Sequence, residues 1–321
     1  MIGGKKMLEL KTYGTIPTED VKDVITTIFV IIDDLYKAVT PAEIQNRRHI
    51  GEAALSDSEI ITLGVMGEIM SNDSEKAWLA YVSKNLGDLF PKMCDLSRFN
   101  RTRRNLLAAI ENLRVHLNPH YDYFMDDLRI VDSLPLQVCE FGRACFEKLF
   151  KGFGATYGNC PSKKITYFGY KIHAICTANG FVTDFIITSA SVDDREAVYE
   201  LVETCNSHLE MLGDKGYTSA LLAADLLKEK GTLLVHLKKR NSKSQHPRGF
   251  RRAVFKIRRR VETSFSQLAD QFKIETTRAK SLWGLQVRLQ TKVLAFNICF
   301  ILNQMLGRSY YDIPKIKGLV F

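Results

Sequence analysis

Apolar residues recur at helical spacing through the first part of this 321-residue chain. After Thr18, a favourable N-cap, Val, Ile and Leu side chains between Val21 and Val39 fall on one face of a helix that we expect to end near Thr40. Similar periods continue to about residue 120. The pattern therefore predicts an all-helical N-terminal domain over residues 1–120.

Three further helix starts are marked by capping-box patterns, in which a Ser, Thr or Asn precedes a Glu by three residues. They lie at Thr40–Glu43, Ser56–Glu59 and Asn72–Glu75. A fourth helical run begins at Ser97 and carries four arginines early in its length, Arg98, Arg101, Arg103 and Arg104. Because cations at a helix start oppose its dipole, we interpret these arginines as phosphate contacts in DNA binding. A helix-turn-helix would fit, and a solvated helical bundle is the alternative.

From about Tyr121 the hydrophobic period changes to that of strands. Five strands are predicted, at Arg129–Val138, Thr166–Thr177, Phe181–Thr188, Leu209–Leu212 and Thr232–Leu237. Helices are predicted between and after them, at Asp194–Ser207, Ser219–Lys230, Arg251–Gln271 and Leu282–Leu306. The fold class is therefore α/β, with a mixed five-stranded sheet flanked by helices over residues 121–308 and a C-terminal tail over residues 309–321.

Positive charge is concentrated in one segment. The chain has a formal net charge of +9 and a pI of about 9.1, and residues 236–260 contain eleven Lys or Arg and no acid. The remainder of the chain is thus slightly acidic. Such a run can be a solvated segment, but this one leads into a predicted helix, which favours a phosphate-binding surface. The candidate contacts are Lys238, Lys239, Arg240, Arg251, Arg252, Arg258, Arg259 and Arg260.

The cysteines and the apolar segments indicate a soluble cytosolic protein. None of the seven cysteines has C-x-x-C spacing, so neither a zinc site nor a disulfide framework is suggested. The N-terminus lacks the apolar core of a signal peptide. The longest apolar runs, Val24–Leu35 and Val293–Leu306, are interrupted by polar residues, and we expect them to be too short to span a bilayer.

Three carboxylates stand out by their positions. Asp132 interrupts the apolar strand run LRIVDSLPLQV, where an uncompensated carboxylate costs several kcal/mol. Asp214 follows another strand, between two glycines in GDKGY, and Glu262 lies among arginines in RRRVETSF, where we expect it close to the buried helix face. A divalent cation would compensate such acids. The alternatives are a hydrogen-bonded strand end, a Gly-Asp turn and an ion pair with Arg258.

Five motifs occur in an order that resembles the DDE transposases of bacterial insertion sequences: VDSLP, YFGYKIH, SASVDD, GDKGY and RRRVETSF. The chain is most similar to the insertion-sequence family numbered nine-eight-two, over about residues 20–305. The resemblance implies an RNase H-like catalytic domain in which Asp132, Asp214 and Glu262 are the catalytic and metal-binding residues. The Y-x2-R-x3-E pattern of related transposases is only partly kept, since Phe255 replaces the tyrosine.

What the resemblance implies for function is specific. The three carboxylates would hold two Mg²⁺, with Mn²⁺ as a substitute, ~3.5–4 Å apart for phosphodiester hydrolysis and strand transfer. Lys171 and Lys215, with the arginines at 258–260, would contact DNA. The partners would be double-stranded terminal inverted repeats and target DNA, held by a homodimer at the bacterial nucleoid, with no membrane.

Two other functions fit the same residues. One is a non-catalytic DNA-binding repressor or domesticated derivative, and the other is an RNase H-like nuclease without strand transfer. We interpret His173 as a sheet histidine and not a general base, and Asp193 and Asp194 as helix caps and not metal ligands.

Overall fold

The computed structural model describes residues 18–47, 50–72, 74–121, 127–205, 209–217, 219–236 and 246–309. Within these ranges the chain divides into two compact units. The helical unit comprises the described residues up to Tyr121 together with those from Gln290 onwards, and the sheet unit comprises those between them, up to Leu289.

The helical unit confirms the predicted N-terminal helices. Its helices are α1 (Thr18–Val39), α2 (Ala42–Gln45), α3 (Asp57–Ile69), α4 (Glu75–Asn85), α5 (Leu96–Asn105) and α6 (Leu107–Tyr121). Helix α1 packs against α3 and α6. Its apolar stripe, which includes Ile25, Ile28 and Ile32, is fully buried. Burial of this stripe is the main reason that the segment is helical.

The predicted helix starts have three outcomes. At Ser56 the capping box forms, because Ser56 Oγ accepts from the Glu59 N–H and a Glu59 carboxylate oxygen accepts from the Ser56 N–H at 2.6 Å. The prediction at Thr40 is wrong: Pro41 is the N-cap of α2, and Thr40 Oγ1 is buried without a hydrogen-bond partner among the described residues. At the third site Ser74, and not Asn72, caps α4 through the N–H of Ala77.

The helical run predicted from Ser97 is two helices. Asp95 caps α5 by accepting from the Arg98 N–H at 2.9 Å, so the helix begins one residue earlier than predicted. The chain then breaks at Leu106, which is buried between α5 and α6. The break turns the apolar residues of α6 onto α1 instead of extending the basic helix.

Six strands of the described residues form one mixed sheet, which confirms the α/β class but adds one strand to the predicted five. They are β1 (Leu128–Gln137), β2 (Thr156–Cys160), β3 (Ile165–Thr177), β4 (Val182–Ser189), β5 (Glu210–Gly213) and β6 (Leu233–His236). The order is β2-β3-β1-β5-β6, and β4 also pairs with β3. Strands β1, β2 and β4 run antiparallel to β3, whereas β5 is parallel to β1 and β6.

The sheet is covered by helices α8 (Asp194–Glu203) and α9 (Ala220–Lys230) on a shared apolar core. The core joins side chains of both helices to those of the central strands, among them Val131, Ile175, Val198, Leu201, Met211, Leu222 and Leu226. Asp193 caps α8, and Gly231 ends α9 in the left-handed conformation. Both ends follow the sequence prediction.

The hairpin between β3 and β4 positions helix α10 (Arg248–Asp270). Gly180 has a φ of +89°, and a Cβ there would lie 2.0 Å from Ser264 Oγ of α10. Glycine is therefore required both by the turn and by the close approach of the helix. A short four-residue helix, α7 (Leu149–Gly152), lies between β1 and β2.

Helix α11 (Leu282–Met305) has 24 residues and is long and apolar enough to cross a membrane by length and composition. The expectation from the sequence that this apolar stretch is too short to span a bilayer is therefore wrong, since the helix is longer than the apolar run. Its most apolar window is, however, 89% buried inside the protein. Its apolar character is thus that of a core helix.

Candidate active site

Asp132 and Asp214 lie at equivalent positions on neighbouring parallel strands. Leu128 pairs with Glu210 and Ile130 with Leu212, an offset of 82 residues, and Asp214 follows Asp132 by the same offset. Asp214 stands directly after β5, where the chain enters a short 3-10 turn over Lys215–Tyr217. Because the strands are parallel and in this register, the two aspartates lie side by side, Asp132 within β1 and Asp214 directly after the end of β5.

Asp132 is held in an environment that disfavours its charge. Its Oδ1 accepts from the Ser133 N–H at 2.8 Å, and the residue is half-buried. Burial raises the pKa of the Asp132 carboxyl from 3.8 to about 6; the Ser133 N–H and the charge of Arg258 oppose the rise, and Asp214 and Asp194 add to it. Three carboxylates and one guanidinium therefore act on one another at this edge.

Asp194 is the carboxylate whose position the sequence interpretation missed. Asp193 alone is the N-cap of α8, accepting from the Arg195 N–H at 2.9 Å. Asp194 Oδ1 instead accepts from Lys171 Nζ at 2.9 Å, and a Cβ built on Gly216 would lie 2.8 Å from Asp214 Oδ1 and 3.8 Å from Asp194 Oδ2. The two carboxylates thus flank one glycine. The available signal was the paired Asp193-Asp194, since a helix start needs only one capping acid.

Two buried polar side chains border the carboxylates. The Tyr217 hydroxyl is buried and has no hydrogen-bond partner among the described residues. Burial raises its pKa well above 10, and the charges of Asp194, Asp132 and Asp214 add to the rise. His173 is fully buried, with Nε2 2.9 Å from Thr188 Oγ1, and burial lowers its pKa to about 4. The interpretation of His173 as a sheet histidine agrees with its buried position in β3.

Glu262 lies apart from this group of carboxylates. Its side chain is 60% exposed, and one oxygen is 3.8 Å from Arg258 Nη2. The expectation that Glu262 sits close to the buried face is wrong, because Val261 and Phe265 occupy that face of α10. Arg258 connects the two regions electrostatically, since its charge also acts on Asp132.

Among the residues that the structure describes, no group of three or more Asp, Glu, His or Cys side chains could hold a metal ion. Mg²⁺, however, is commonly bound by one or two carboxylates, with waters and substrate phosphate oxygens completing its shell. Asp132 and Asp214 fit that requirement. The raised pKa of Asp132 shows that its negative charge lacks full compensation by the protein.

The cations predicted to bind DNA lie in several environments. Arg251, Arg252 and Arg259 are exposed and line a groove of about 870 Å³ at the start of α10, together with Arg248 and Lys256. The other predicted cations do not line this groove. Arg258 and Arg260 are half-buried, Lys171 donates to Asp194, and Lys215 lies in the turn after Asp214. Lys238, Lys239 and Arg240 are outside the described residues.

In α5 the predicted DNA contacts divide in two. Arg98 and Arg101 are exposed and Arg104 is half-buried. Arg103 is buried; its Nη2 donates to Glu75 Oε1 at 2.6 Å, and its guanidinium lies 5.5 Å from the centre of the Phe99 ring. Arg103 is therefore a structural residue of the helical unit, and we leave it out of the proposed DNA surface.

A family model described as a transposase DDE domain matches residues 124–282. No curated protein matches the chain, and no solved structure does. The matched segment contains all six strands, from β1 to β6, and the whole of α10. The mixed sheet with flanking helices agrees with the RNase H-like architecture that the resemblance implied.

Proposed function

Because residues 124–282 belong to the family of transposase DDE domains, we propose that this chain is an insertion-sequence transposase that binds terminal inverted repeats and catalyses Mg²⁺-dependent strand cleavage and strand transfer. The observation that carries the proposal is the convergence of Asp132 and Asp214 at equivalent positions on β1 and β5. Membership of the family numbered nine-eight-two remains a prediction.

The proposed ligands of Mg²⁺, or of Mn²⁺ in its place, are Asp132, Asp214 and Glu262, in a site that takes two ions. A bound metal would supply positive charge to the scissile phosphate and would acidify the attacking water in cleavage or the attacking 3′-hydroxyl in strand transfer. Asp132 would contribute oxygens from within β1 and Asp214 from directly after β5, whereas Glu262 would contribute from an exposed helix position. The half-buried Arg258, whose charge acts on Asp132 and which lies 3.8 Å from Glu262, would contact the phosphate.

Lys171 and Asp194 form a positioning pair beside the proposed metal ligands. Lys171 Nζ donates both to the Val192 carbonyl and to Asp194 Oδ1, at 2.9 Å each, so the Asp194 carboxylate is fixed before DNA arrives. In this role Lys171 neutralises an acid close to the DNA path. Without that neutralisation, Asp194 would repel the phosphate backbone.

We propose that DNA lies along the groove of α10, against Arg251, Arg252 and Arg259. Within the same unit we also propose contacts at Lys215, Lys238, Lys239, Arg240 and Arg260, and the helical unit has its own proposed contacts at Arg98, Arg101 and Arg104. Two transposon ends must be brought together for strand transfer, and a homodimer would hold one in each subunit. Such an enzyme acts on the chromosome, in the bacterial cytoplasm.

The direct test is to incubate the protein with DNA that carries its flanking terminal repeats, with Mg²⁺, and to map the nicks. We expect strand-specific nicks at the repeat ends, and we expect Asp132→Asn and Asp214→Asn to bind the DNA without cutting it. Asp225→Asn, on the outer part of α9, is the matched control and should nick normally.

Each alternative function has its own outcome in this experiment. Binding to the repeats without nicking, in the presence of Mg²⁺ or Mn²⁺, would indicate a repressor. Nicking without joining of precut ends to a target duplex would indicate a nuclease. A variant at position 132 or 214 that nicks at the wild-type rate would remove that residue from the metal site.

A further inference from the structure

A cavity of about 400 Å³ opens beside the carboxylates of the sheet unit. Asp194, Lys171 and Gly216 form the wall nearest to Asp214, and Tyr157 and Asn159 of β2 are also in the lining. None of the three carboxylates of the DDE motif lines it. The cavity is therefore an additional space next to the proposed reaction site.

Tyr157 is the feature of this cavity that most needs an explanation. It is 51% exposed, although an aromatic ring of this size ordinarily gains from burial. The ring is fixed by edge contacts with Phe141, at 5.8 Å, and with Phe168, at 5.1 Å between ring centres. A ring that is held in place and half exposed is ready to stack against a planar ligand.

The chain around Tyr157 carries more exposed rings and an excess of positive charge. Phe141, Phe146 and Phe153 are each more than half exposed. Between positions 140 and 164 there are five basic residues, at 143, 148, 151, 163 and 164, and two acidic ones, at 140 and 147. Exposed aromatic rings among cations are the combination with which proteins bind unpaired nucleic-acid bases. A second protein chain would not by itself call for the cations.

The polar groups of the cavity suit a nucleotide as well. The Asn159 side chain is exposed and has both a donor and an acceptor, as the edge of a base requires. Arg195, on the rim, is exposed and is paired with Asp193 through two bonds of 2.8 and 2.9 Å, so it balances the charge of that acid at the cavity mouth. Because a paired base is enclosed in the duplex, only an unpaired or extruded base could reach Tyr157.

We propose that this cavity binds one unpaired nucleotide of the DNA strand next to the scissile phosphate, with its base on Tyr157 and its edge towards Asn159. The proposal rests on the proposed function, since it needs DNA at the carboxylates, but it concerns a separate site. It makes β2, the strand that the sequence interpretation missed, a determinant of how the DNA end is opened.

The test compares two terminal-repeat duplexes, one blunt and one with a single unpaired nucleotide at the cleavage end, on the full-length protein. In EDTA, where no cleavage occurs, we expect the unpaired end to bind about tenfold more tightly, the scale of one base stacked on an aromatic ring. With 2-aminopurine as the unpaired base, we expect its fluorescence to be quenched on binding.

The variants separate stacking from folding. Tyr157→Ala should abolish the preference and the quenching, Tyr157→Phe should retain both, and Tyr157→Leu should lose both while keeping apolar contacts with Phe141 and Phe168. Tyr199→Ala, which removes another partly exposed tyrosine on α8, is the matched control. Thermal unfolding of each variant identifies any that do not fold. The comparison of Tyr157→Phe with Tyr157→Leu then decides whether an aromatic ring is required at this position.

Failure of this proposal can be distinguished from failure of the proposed function. If the protein binds and nicks the repeats but binds blunt and unpaired ends equally, the nucleotide site is overturned and the function stands. The same follows if Tyr157→Leu retains the preference, or if the Tyr157 variants change only the association state in sedimentation. If neither duplex is bound, the proposed function itself fails.

Discussion

Helices α5 and α10 both carry runs of arginine, yet the two helices use them differently. In α5 the side chain of Arg103 is only 6% exposed and is paired with Glu75, which α4 supplies. In α10, Arg251, Arg252 and Arg259 are exposed and face a groove. The difference lies in the neighbouring helix, because an acid on a packed helix pairs with an arginine and draws it into the interior. The sequence of the arginine run alone does not show whether such an acid is nearby.

This comparison shows what a charge cluster can indicate. A buried guanidinium needs a partner, since an unpaired charge in the interior is very costly, whereas exposed arginines need none. Arginine runs therefore predict a DNA surface only where no packed acid is available. The start of α10 has no acid in its first turn, and it remains the stronger candidate.

The largest effect expected from this difference is on folding. Replacing Arg103 with alanine removes a buried guanidinium together with its bond to the half-buried Glu75, and we expect the free energy of unfolding to fall by about 3–5 kcal/mol. Urea denaturation followed by circular dichroism measures it. Arg101→Ala, an exposed change on the same helix, is the control and should alter the same quantity by less than about 0.5 kcal/mol. Equal losses for both variants would contradict the structural role of Arg103.

The next effect is on DNA binding. If Arg251 and Arg252 each contact a phosphate, the double alanine variant should reduce the slope of log K against log salt by about 1.8, and weaken binding about tenfold to thirtyfold at 0.15 M salt. Fluorescence anisotropy with the terminal-repeat duplex at several salt concentrations measures both.

The matched control for this pair is again in α5. Arg98 and Arg101 are exposed there, and their double alanine variant tests whether α5 also contacts DNA. Stability should be unchanged in both double variants. An unchanged salt slope for Arg251→Ala/Arg252→Ala would mean that the groove of α10 is not the DNA surface, and would leave the two helices alike.

A smaller effect comes from Arg258, whose charge acts on a carboxylate of β1. The pKa of Asp132 is about 6 in the folded protein, against 3.8 for an aspartate in its ordinary solvated state, so the folded state holds a proton more readily. The stabilising contribution is therefore complete below about pH 4 and is lost as the pH rises through 6. Because Asp132 is partly exposed, we expect the free energy of unfolding of the metal-free protein to fall by about 1–2 kcal/mol between these pH limits.

This pH dependence is measured as a difference between two proteins. Unfolding free energies of wild type and Asp132→Asn, in EDTA from pH 4.5 to 7.5, should diverge in favour of the variant as the pH rises, because groups common to both cancel. In Arg258→Gln the loss should extend to a higher pH, since the guanidinium that lowers the pKa of folded Asp132 is gone. Parallel curves for wild type and Asp132→Asn would show that Asp132 does not titrate in this range.

Much of the fold could be predicted from local pattern. Strands β1, β3, β4, β5 and β6 lie within a residue or so of their predicted bounds at most ends, because they carry β-branched and apolar residues between turn signals. Strand β2 could not be predicted. Its sequence, TYGNC, contains glycine and asparagine and has no alternation, and it is a strand because β3 supplies the partner edge.

The site was predictable to the extent that its acids are marked by their positions relative to the strands. Asp132 and Asp214 could be located because each follows or interrupts a strand, and their convergence is a property of parallel pairing. Asp194 could not, because its role depends on Lys171, which reaches the start of α8 from strand β3. Pro135 also fits its position: β1 pairs with β5 only before Asp132, so the proline removes no bond on that side.

The smallest effect on stability is expected at Glu262, an exposed acid that is paired with the half-buried Arg258. Its i,i+4 pair with Arg258 spans 3.8 Å and its side chain is 60% exposed, so Glu262→Gln should change the free energy of unfolding by less than about 0.5 kcal/mol. If Glu262 is a metal ligand, the same variant should nevertheless abolish nicking of the terminal-repeat DNA.

The control for a surface ion pair is Glu203→Gln, at the end of α8. The Glu203 side chain is exposed and lies 4.0 Å from Lys230 Nζ, and its variant should retain nicking. A Glu262→Gln protein that is stable and still nicks would make this glutamate only a surface partner of Arg258, and would leave Asp132 and Asp214 as the carboxylates on which the chemistry depends.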